Sequence, residues 1–340
     1  MASTELHETA RAIVADHKGI LAADESTGTI KKRFDSIDVE STEESRRFYR
    51  QLLFTAPGME DAIGGVILYD ETIRQKADDG TPFPELLASK GSIPGIKVDT
   101  GAHDLAGFPG EKVTEGLDGL RPRLEEYASF GARFAKWRAV ITIGEGIPTD
   151  ACLRANAHAL ARYASLCQEA GIVPIVEPEV LMDADNTLET CWEVTTRTLH
   201  ETFDALYELG IDLQGALLKP NMVISGKGCP AQASSERIAE ATIDCFLGVV
   251  PAAVPGIVFL SGGQSEVEAT ENLNAINKLG GPWPLSFSYG RALQASALAA
   301  WGGDAANAEA AQAAFAHRAR MNALAAAGAW SAELEQPVTA

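Results

Sequence analysis

Lys219 stands at the end of a short apolar run, Gly215-Ala216-Leu217-Leu218-Lys219-Pro220-Asn221, with proline directly after it. A run of this length bounded by glycine and proline reads as a buried strand. An amine at such a strand end is partly desolvated; burial disfavours its charged form, and a neutral amine attacks carbonyl carbon. A single lysine so placed more often snorkels its charge to the rim, so the reactive reading needs partners from elsewhere. The sequence offers them. Charged or hydroxyl residues close several other apolar runs: Asp24, Lys97, Lys136 with Arg138, Glu177 with Glu179, Ser261 and Ser288. Residues two apart share a strand face, so Lys136 points with Arg138 and Glu177 with Glu179. Any one of these, taken singly, reads as a hydrogen-bonded polar group at a strand end. Gathered in one low-dielectric bowl, so many charges would be costly without a function.

The elements that would gather them alternate between strand and helix. Strand runs fall at 19–24, 63–70, 93–99, 132–138, 172–179, 215–221, 256–263 and 284–290. Between them, Ser41-Thr42-Glu43-Glu44 and Ser265-Glu266-Val267-Glu268 resemble capping boxes. Helical patterns run over 149–170, closing on Gly171, over 186–209, stopping at Gly210, and over 291–301. Eight such pairs predict an α/β fold, a (β/α)8 TIM barrel, over a doubly wound sheet, and no G-x-G-x-x-G follows any strand. We expect one domain over 1–340: a core of about 10–327, an Ala-rich helical segment from Asp304, and a flexible tail at 328–340. In a barrel the C-terminal strand ends form the active-site face, and the polar residues fall there.

The last two of these strand ends carry a second signal. Ser261-Gly262-Gly263 lets backbone N–H groups approach a ligand, and Ser288-Tyr289-Gly290-Arg291 adds a hydroxyl, a bare backbone and a guanidinium. Loops after strands seven and eight, with a helix N-terminus, commonly hold a phosphate in barrels. Lys97, Arg138 and Arg33 could form a second anion site across the mouth. Two anion sites flanking a reactive amine suggest a bisphosphorylated sugar.

Composition bounds the alternatives. The chain has 340 residues, 46% hydrophobic, and a formal net charge of −19. That balance argues against nucleic acid or an anionic membrane as partner, although a local basic cluster still suits a phosphorylated substrate. Five scattered cysteines without a C-x-x-C pair predict reduced thiols and a cytoplasmic setting. No apolar run reaches the length of a membrane span, and the first residues lack a signal-peptide core.

Six segments carry a resemblance: Gly19-Ile20-Leu21-Ala22-Ala23-Asp24-Glu25-Ser26-Thr27-Gly28, Phe134-Ala135-Lys136-Trp137-Arg138, Ile175-Val176-Glu177-Pro178-Glu179, Leu217-Leu218-Lys219-Pro220-Asn221-Met222, Leu260-Ser261-Gly262-Gly263-Gln264-Ser265 and Ser288-Tyr289-Gly290-Arg291-Ala292-Leu293. In this order they resemble class I fructose-bisphosphate aldolase, from about Ala10 to about Ala327. The resemblance implies reversible cleavage of fructose 1,6-bisphosphate to dihydroxyacetone phosphate and glyceraldehyde 3-phosphate, in glycolysis and gluconeogenesis. It implies that Lys219 forms a Schiff base with the substrate ketone and that Glu177 is the acid and base for water loss and return. Lys136 would be the nearby cation that helps keep the amine neutral, Asp24 the acceptor of the C4 hydroxyl proton, and Glu179 a tuner of the lysines' charge. Ser261, Gly262, Gly263, Ser288, Gly290 and Arg291 would hold the C1 phosphate. Ser26, Thr29, Arg33, Lys97 and Arg138 would lie towards the C6 phosphate. No cofactor or metal is implied, and the family is usually a homotetramer. Two departures stand out. Animal members end in a tyrosine on a mobile tail that is associated with proton exchange on the enamine, whereas no tyrosine follows Tyr289 here. Thr29 stands where many relatives have serine.

Three rivals make different demands. A zinc-dependent aldolase needs a histidine cluster, and His7, His17, His103, His158, His200 and His317 are scattered. A transaldolase-like barrel would ignore a C6 phosphate. A non-catalytic scaffold binding an anionic filament is poorly matched to the −19 charge.

Overall fold

A computed structural model describes residues 2–335. All eight expected strand runs are strands: β1 (Gly19–Ala22), β2 (Ile63–Leu68), β3 (Ile93–Lys97), β6 (Phe134–Ile141), β7 (Val173–Val180), β8 (Leu217–Leu218), β9 (Ile257–Phe259) and β10 (Leu285–Tyr289). They close in the order β1-β10-β9-β8-β7-β6-β3-β2, and every neighbouring pair is parallel. The fold is a (β/α)8 TIM barrel. Its strands are covered on both faces and so read in the sequence as unbroken apolar runs. β8 holds only two ladder residues because Pro220 has no N–H to donate; Lys219 N still donates to Val176 O at 2.8 Å. The remaining two strands, β4 (Gly101–Asp104) and β5 (Lys112–Glu115), form an antiparallel hairpin that the sequence did not announce. It braces the mouth, since Thr114 Oγ1 donates to Arg138 O at 2.7 Å.

Two apolar layers hold these strands. Inside the ring sit Ile20, Ile67, Phe134, Val173, Ile175, Leu217 and Val258. Phe134 fills the space that Gly95 leaves open; a Cβ there would lie 2.4 Å from the ring atoms. The helix Ala2–Ile13 closes the floor by presenting Leu6, Ala10 and Ile13, at helical spacing, to that interior. The core therefore begins ahead of residue 10. A larger cluster lies between strands and outer helices. At about 25 cal/mol per Å² of apolar surface removed from water, such burial is the main force closing the ring.

Caps start the helices. Thr149 and Thr187 accept from Cys152 N and Thr190 N to open Asp150–Glu169 and Leu188–Glu208, and Ser265 with Glu268 makes the expected capping box. The first box slides by one residue: Thr42 pairs reciprocally with Ser45, and the helix runs Glu43–Phe54. The Ala-rich segment is a helix at Ala308–Ala326. Of the tail expected at 328–340, residues 328–335 return to the core. Trp330 is buried and donates from Nε1 to Glu335 Oε1 at 2.8 Å, and Arg318 pairs with the same carboxylate. Residues 336–340 lie outside the described residues.

Candidate active site

Adjacent strand ends deliver the buried charges to one place. β6 and β7 run in register with Arg138 opposite Glu177, and β3 sets Lys97 opposite Lys136. Alternation along each strand then turns Lys136, Arg138, Glu177 and Glu179 towards the mouth. Lys136, Glu177 and Lys219 are 4%, 3% and 4% exposed. Lys219 Nζ lies 3.1 Å from Glu177 Oε1, and Lys136 Nζ lies 3.4 Å from Glu177 Oε2. The same Lys136 ammonium is 2.7 Å from Asp24 Oδ2. One carboxylate thus bridges two lysines, and the second lysine reaches on to a further carboxylate.

The electrostatics follow from these contacts. Burial pulls the Lys136 ammonium down, but Asp24, Glu177 and Asp99 more than reverse this and hold it firmly protonated. Burial pushes the Asp24 carboxyl up, yet the neighbouring Lys136, with smaller contributions from Lys219 and Lys97, outweighs it and keeps Asp24 ionised, well below the usual range. Desolvation at the rim lowers the half-exposed Arg138 guanidinium, and Glu179, to which its Nε donates, more than reverses this, so Arg138 stays charged. Buried ion pairs recover their desolvation cost poorly. Their concentration at one mouth therefore speaks for chemistry more than for stability.

A cleft of about 540 Å³ opens above this chain. Asp24, Ser26, Thr29, Arg33, Lys97, Lys136, Arg138, Glu177, Glu179, Lys219, Ser261, Gly262, Ser288, Gly290 and Arg291 all line it. Gly263 does not; a Cβ there would meet Lys227 Nζ at 2.6 Å and Arg291 Nη2 at 3.0 Å. Ser288 Oγ is buried and has no hydrogen-bond partner among the described residues, so it is free to bond a ligand. Although the chain is acidic overall, Lys32, Arg33, Lys97, Lys136, Arg138, Lys219 and Arg291 outnumber Asp24, Glu25, Glu177 and Glu179 along the lining. Such a cleft attracts a polyanion.

Apart from Gly263, the residues expected at the two anion groups line one cleft, and several have protein partners. Lys97 is tied to Asp99, at 2.7 Å from Oδ1 and 2.9 Å from its carbonyl. Arg33, from the helix Thr27–Asp35 that follows β1, instead leans beside Gly290, with Nη2 3.5 Å from where a Cβ would stand. It also pairs with Glu25, whose other oxygen lies 2.6 Å from Arg50 Nη2. Ser26 and Thr29 bond each other at 3.1 Å. Glu25, Asp99 and Arg50 went unread in the sequence. For Glu25 the signal was its place between Asp24 and Ser26, and for Asp99 its place as the charged residue closing the run 93–99; for Arg50 there was none.

No group of His, Cys, Asp and Glu among the described residues is arranged to hold a metal ion. The cleft thus combines a buried amine, a carboxylate bridging two lysines and a basic lining suited to an anionic ligand.

Known proteins point the same way. A family model described as "Glycolytic: Fructose-bisphosphate aldolase class-I" matches residues 5–340. A probable fructose-bisphosphate aldolase class 1 from Xanthomonas campestris pv. campestris is 60% identical over 332 residues, covering 97% of this chain and 99% of its own. A non-muscle type fructose-bisphosphate aldolase from Lethenteron camtschaticum is 54% identical over 327 residues, covering 95% and 90%. Among solved structures, fructose-bisphosphate aldolase from Plasmodium falciparum, co-crystallised with TRAP and a small molecule inhibitor, superposes with a TM-score of 0.96 at 50% identity, covering 97% of this chain and 96% of its own. On its barrel, its cleft and its sequence, the chain belongs to the class I fructose-bisphosphate aldolase family.

Proposed function

We propose that this carbon–carbon lyase cleaves fructose 1,6-bisphosphate through an imine on Lys219. The observation that carries the reading is Glu177, set between Lys219 at 3.1 Å and Lys136 at 3.4 Å in a buried mouth. The amine nitrogen of Lys219 adds to the C2 carbonyl, and the proton it loses passes through Glu177 to the former carbonyl oxygen. Glu177, reprotonated by solvent through the open cleft, then protonates the hydroxyl, water leaves, and an iminium remains; the proton returns to solvent when water adds back. The charged Lys136, 3.4 Å from Glu177 Oε2, steadies the relay carboxylate through this cycle. Ionised Asp24 takes the C4 hydroxyl proton as the C3–C4 bond breaks. The bonding electrons move into the iminium as an enamine, and glyceraldehyde 3-phosphate departs. Protonation at C3 and return of water release dihydroxyacetone phosphate and free Lys219. Glu179, through Arg138, sets the local charge.

Ser261, Gly262, Gly263, Ser288, Gly290 and Arg291 hold the C1 phosphate in this reading, with Arg33 beside them. Lys97 and Arg138, with Ser26 and Thr29, face the C6 phosphate. The family description supports a place in glycolysis, and the reversibility of aldol cleavage suits a place in gluconeogenesis as well. We read the working form as a cytoplasmic homotetramer that needs neither metal nor cofactor. The test is borohydride reduction of the protein incubated with dihydroxyacetone phosphate and a strong chelator. A covalent mass gain of one reduced triose phosphate per chain is expected; no gain overturns the imine.

A further inference from the structure

Lys227 has no part in the site described above, yet its ammonium overhangs the 261–263 loop. A Cβ added to Gly263 would lie 2.6 Å from Lys227 Nζ and 3.0 Å from Arg291 Nη2, so two cations converge on one point. Gly263 itself has φ +84, a conformation that other L-residues rarely adopt, and carries no side chain to push the two cations off the loop. The resting partner of Lys227 is Asp183, at 2.8 Å, with side-chain exposures of 42% and 65%. An ion pair this wet is weak and readily exchanged.

The backbone shows why the ammonium sits there. Gly226 N, Lys227 N and Gly228 N donate in succession to Asn186 O, Met182 O and Ala184 O, at 2.9, 2.9 and 2.8 Å. A Cβ on Gly226 would lie 2.3 Å from Ala184 O, so the two segments are seated without slack. Asp183 belongs to the segment on which Lys227 is anchored. Moving the ammonium from Asp183 onto the loop therefore needs side-chain rotation only, with no backbone motion. Two cations held together repel, and a dianion between them removes that cost.

We infer that Lys227 is a further binding residue for the phosphate held by the 261–263 loop, exchanging Asp183 for that phosphate when the ligand enters. The inference rests on the aldolase reading above and names one more group for its C1 phosphate end. Lys227 makes no contact with the reacting carbons, so it acts on affinity and leaves the chemical steps alone.

The test is borohydride trapping at graded dihydroxyacetone phosphate, comparing the unaltered protein with Lys227→Met, Lys227→Arg and Lys278→Met. Lys278, exposed in the last turn of the helix Glu266–Leu279, controls for lost net charge. In Lys227→Met the half-saturating concentration rises about three- to tenfold. The maximal trapping rate holds, Lys227→Arg restores binding, and Lys278→Met changes nothing. The Lys227→Met deficit also shrinks as salt is raised. An unchanged half-saturating concentration, a deficit that Arg does not rescue, or a loss confined to the maximal rate would each overturn the inference. Failure of the unaltered protein to trap at all would bring down the imine reading instead.

Discussion

Replacing Lys136 by Met removes the ammonium that reaches both Asp24 and Glu177. Its Nζ is 2.7 Å from the first carboxylate and 3.4 Å from the second, and the side chain is 5% exposed. Methionine fills similar volume, so the effect is electrostatic and leaves no large cavity. Removing one partner of a buried pair costs about 3–5 kcal/mol, because the charge left behind is uncompensated. The pH dependence has a definite sign. In the natural protein the Asp24 carboxyl is depressed below its ordinary 3.8. Its contribution to stability is present above that value and is lost only as pH falls through the lower folded value. Without Lys136, burial remains while the largest opposing contribution is gone, so the folded-state value moves up. The variant is then destabilised most at neutral pH and recovers on acidification. Each carboxyl protonated in the folded variant but ionised in the unfolded chain shifts stability by about 1.4 kcal/mol per pH unit. Urea unfolding followed by circular dichroism, at pH 7 and pH 5 and one protein concentration, reads the difference directly. A deficit below about 1 kcal/mol at pH 7, or one that does not narrow at pH 5, refutes the reasoning.

Two more substitutions separate chemistry from binding. Glu177→Gln keeps the shape but cannot relay protons, so imine trapping slows by about 10²-fold or more while dihydroxyacetone phosphate still binds. Stopped-flow trapping with a separate equilibrium binding assay checks this, and trapping at the unaltered rate would remove Glu177 from its role. Lys97→Met raises KM for fructose 1,6-bisphosphate about tenfold and leaves KM for fructose 1-phosphate unchanged, because one charge-assisted contact to the C6 phosphate is lost. Steady-state kinetics on both sugars decide it; equal effects on the two would place Lys97 elsewhere.

How far the sequence spoke depended on whether a feature was local. The barrel was legible because each parallel strand is buried on both faces and reads as a continuous apolar run; even β8, with two ladder residues, was marked by Leu217-Leu218 against Pro220. The β4–β5 hairpin was silent. Gly101-Ala102-His103-Asp104 has no apolar alternation, and three of its four residues are exposed. Ser41 and Thr42 both offer a capping hydroxyl, and only the packed chain distinguishes which one is used. Candidate site residues could be picked out as polar groups at strand ends. Their pairings could not, because these depend on register between strands: Lys136 with both Asp24 and Glu177, Arg138 with Glu179. Glu25 with Arg50, and Lys227 with Asp183, join loops and helices distant in the chain and leave no periodic trace.

Reductive trapping followed by peptide mass mapping asks most directly whether Lys219 is the nucleophile. With dihydroxyacetone phosphate, borohydride and chelator present, a single modified peptide is expected, with the reduced triose phosphate on Lys219. Modification of Lys136 or Lys97 in its place would contradict Lys219 as the nucleophile.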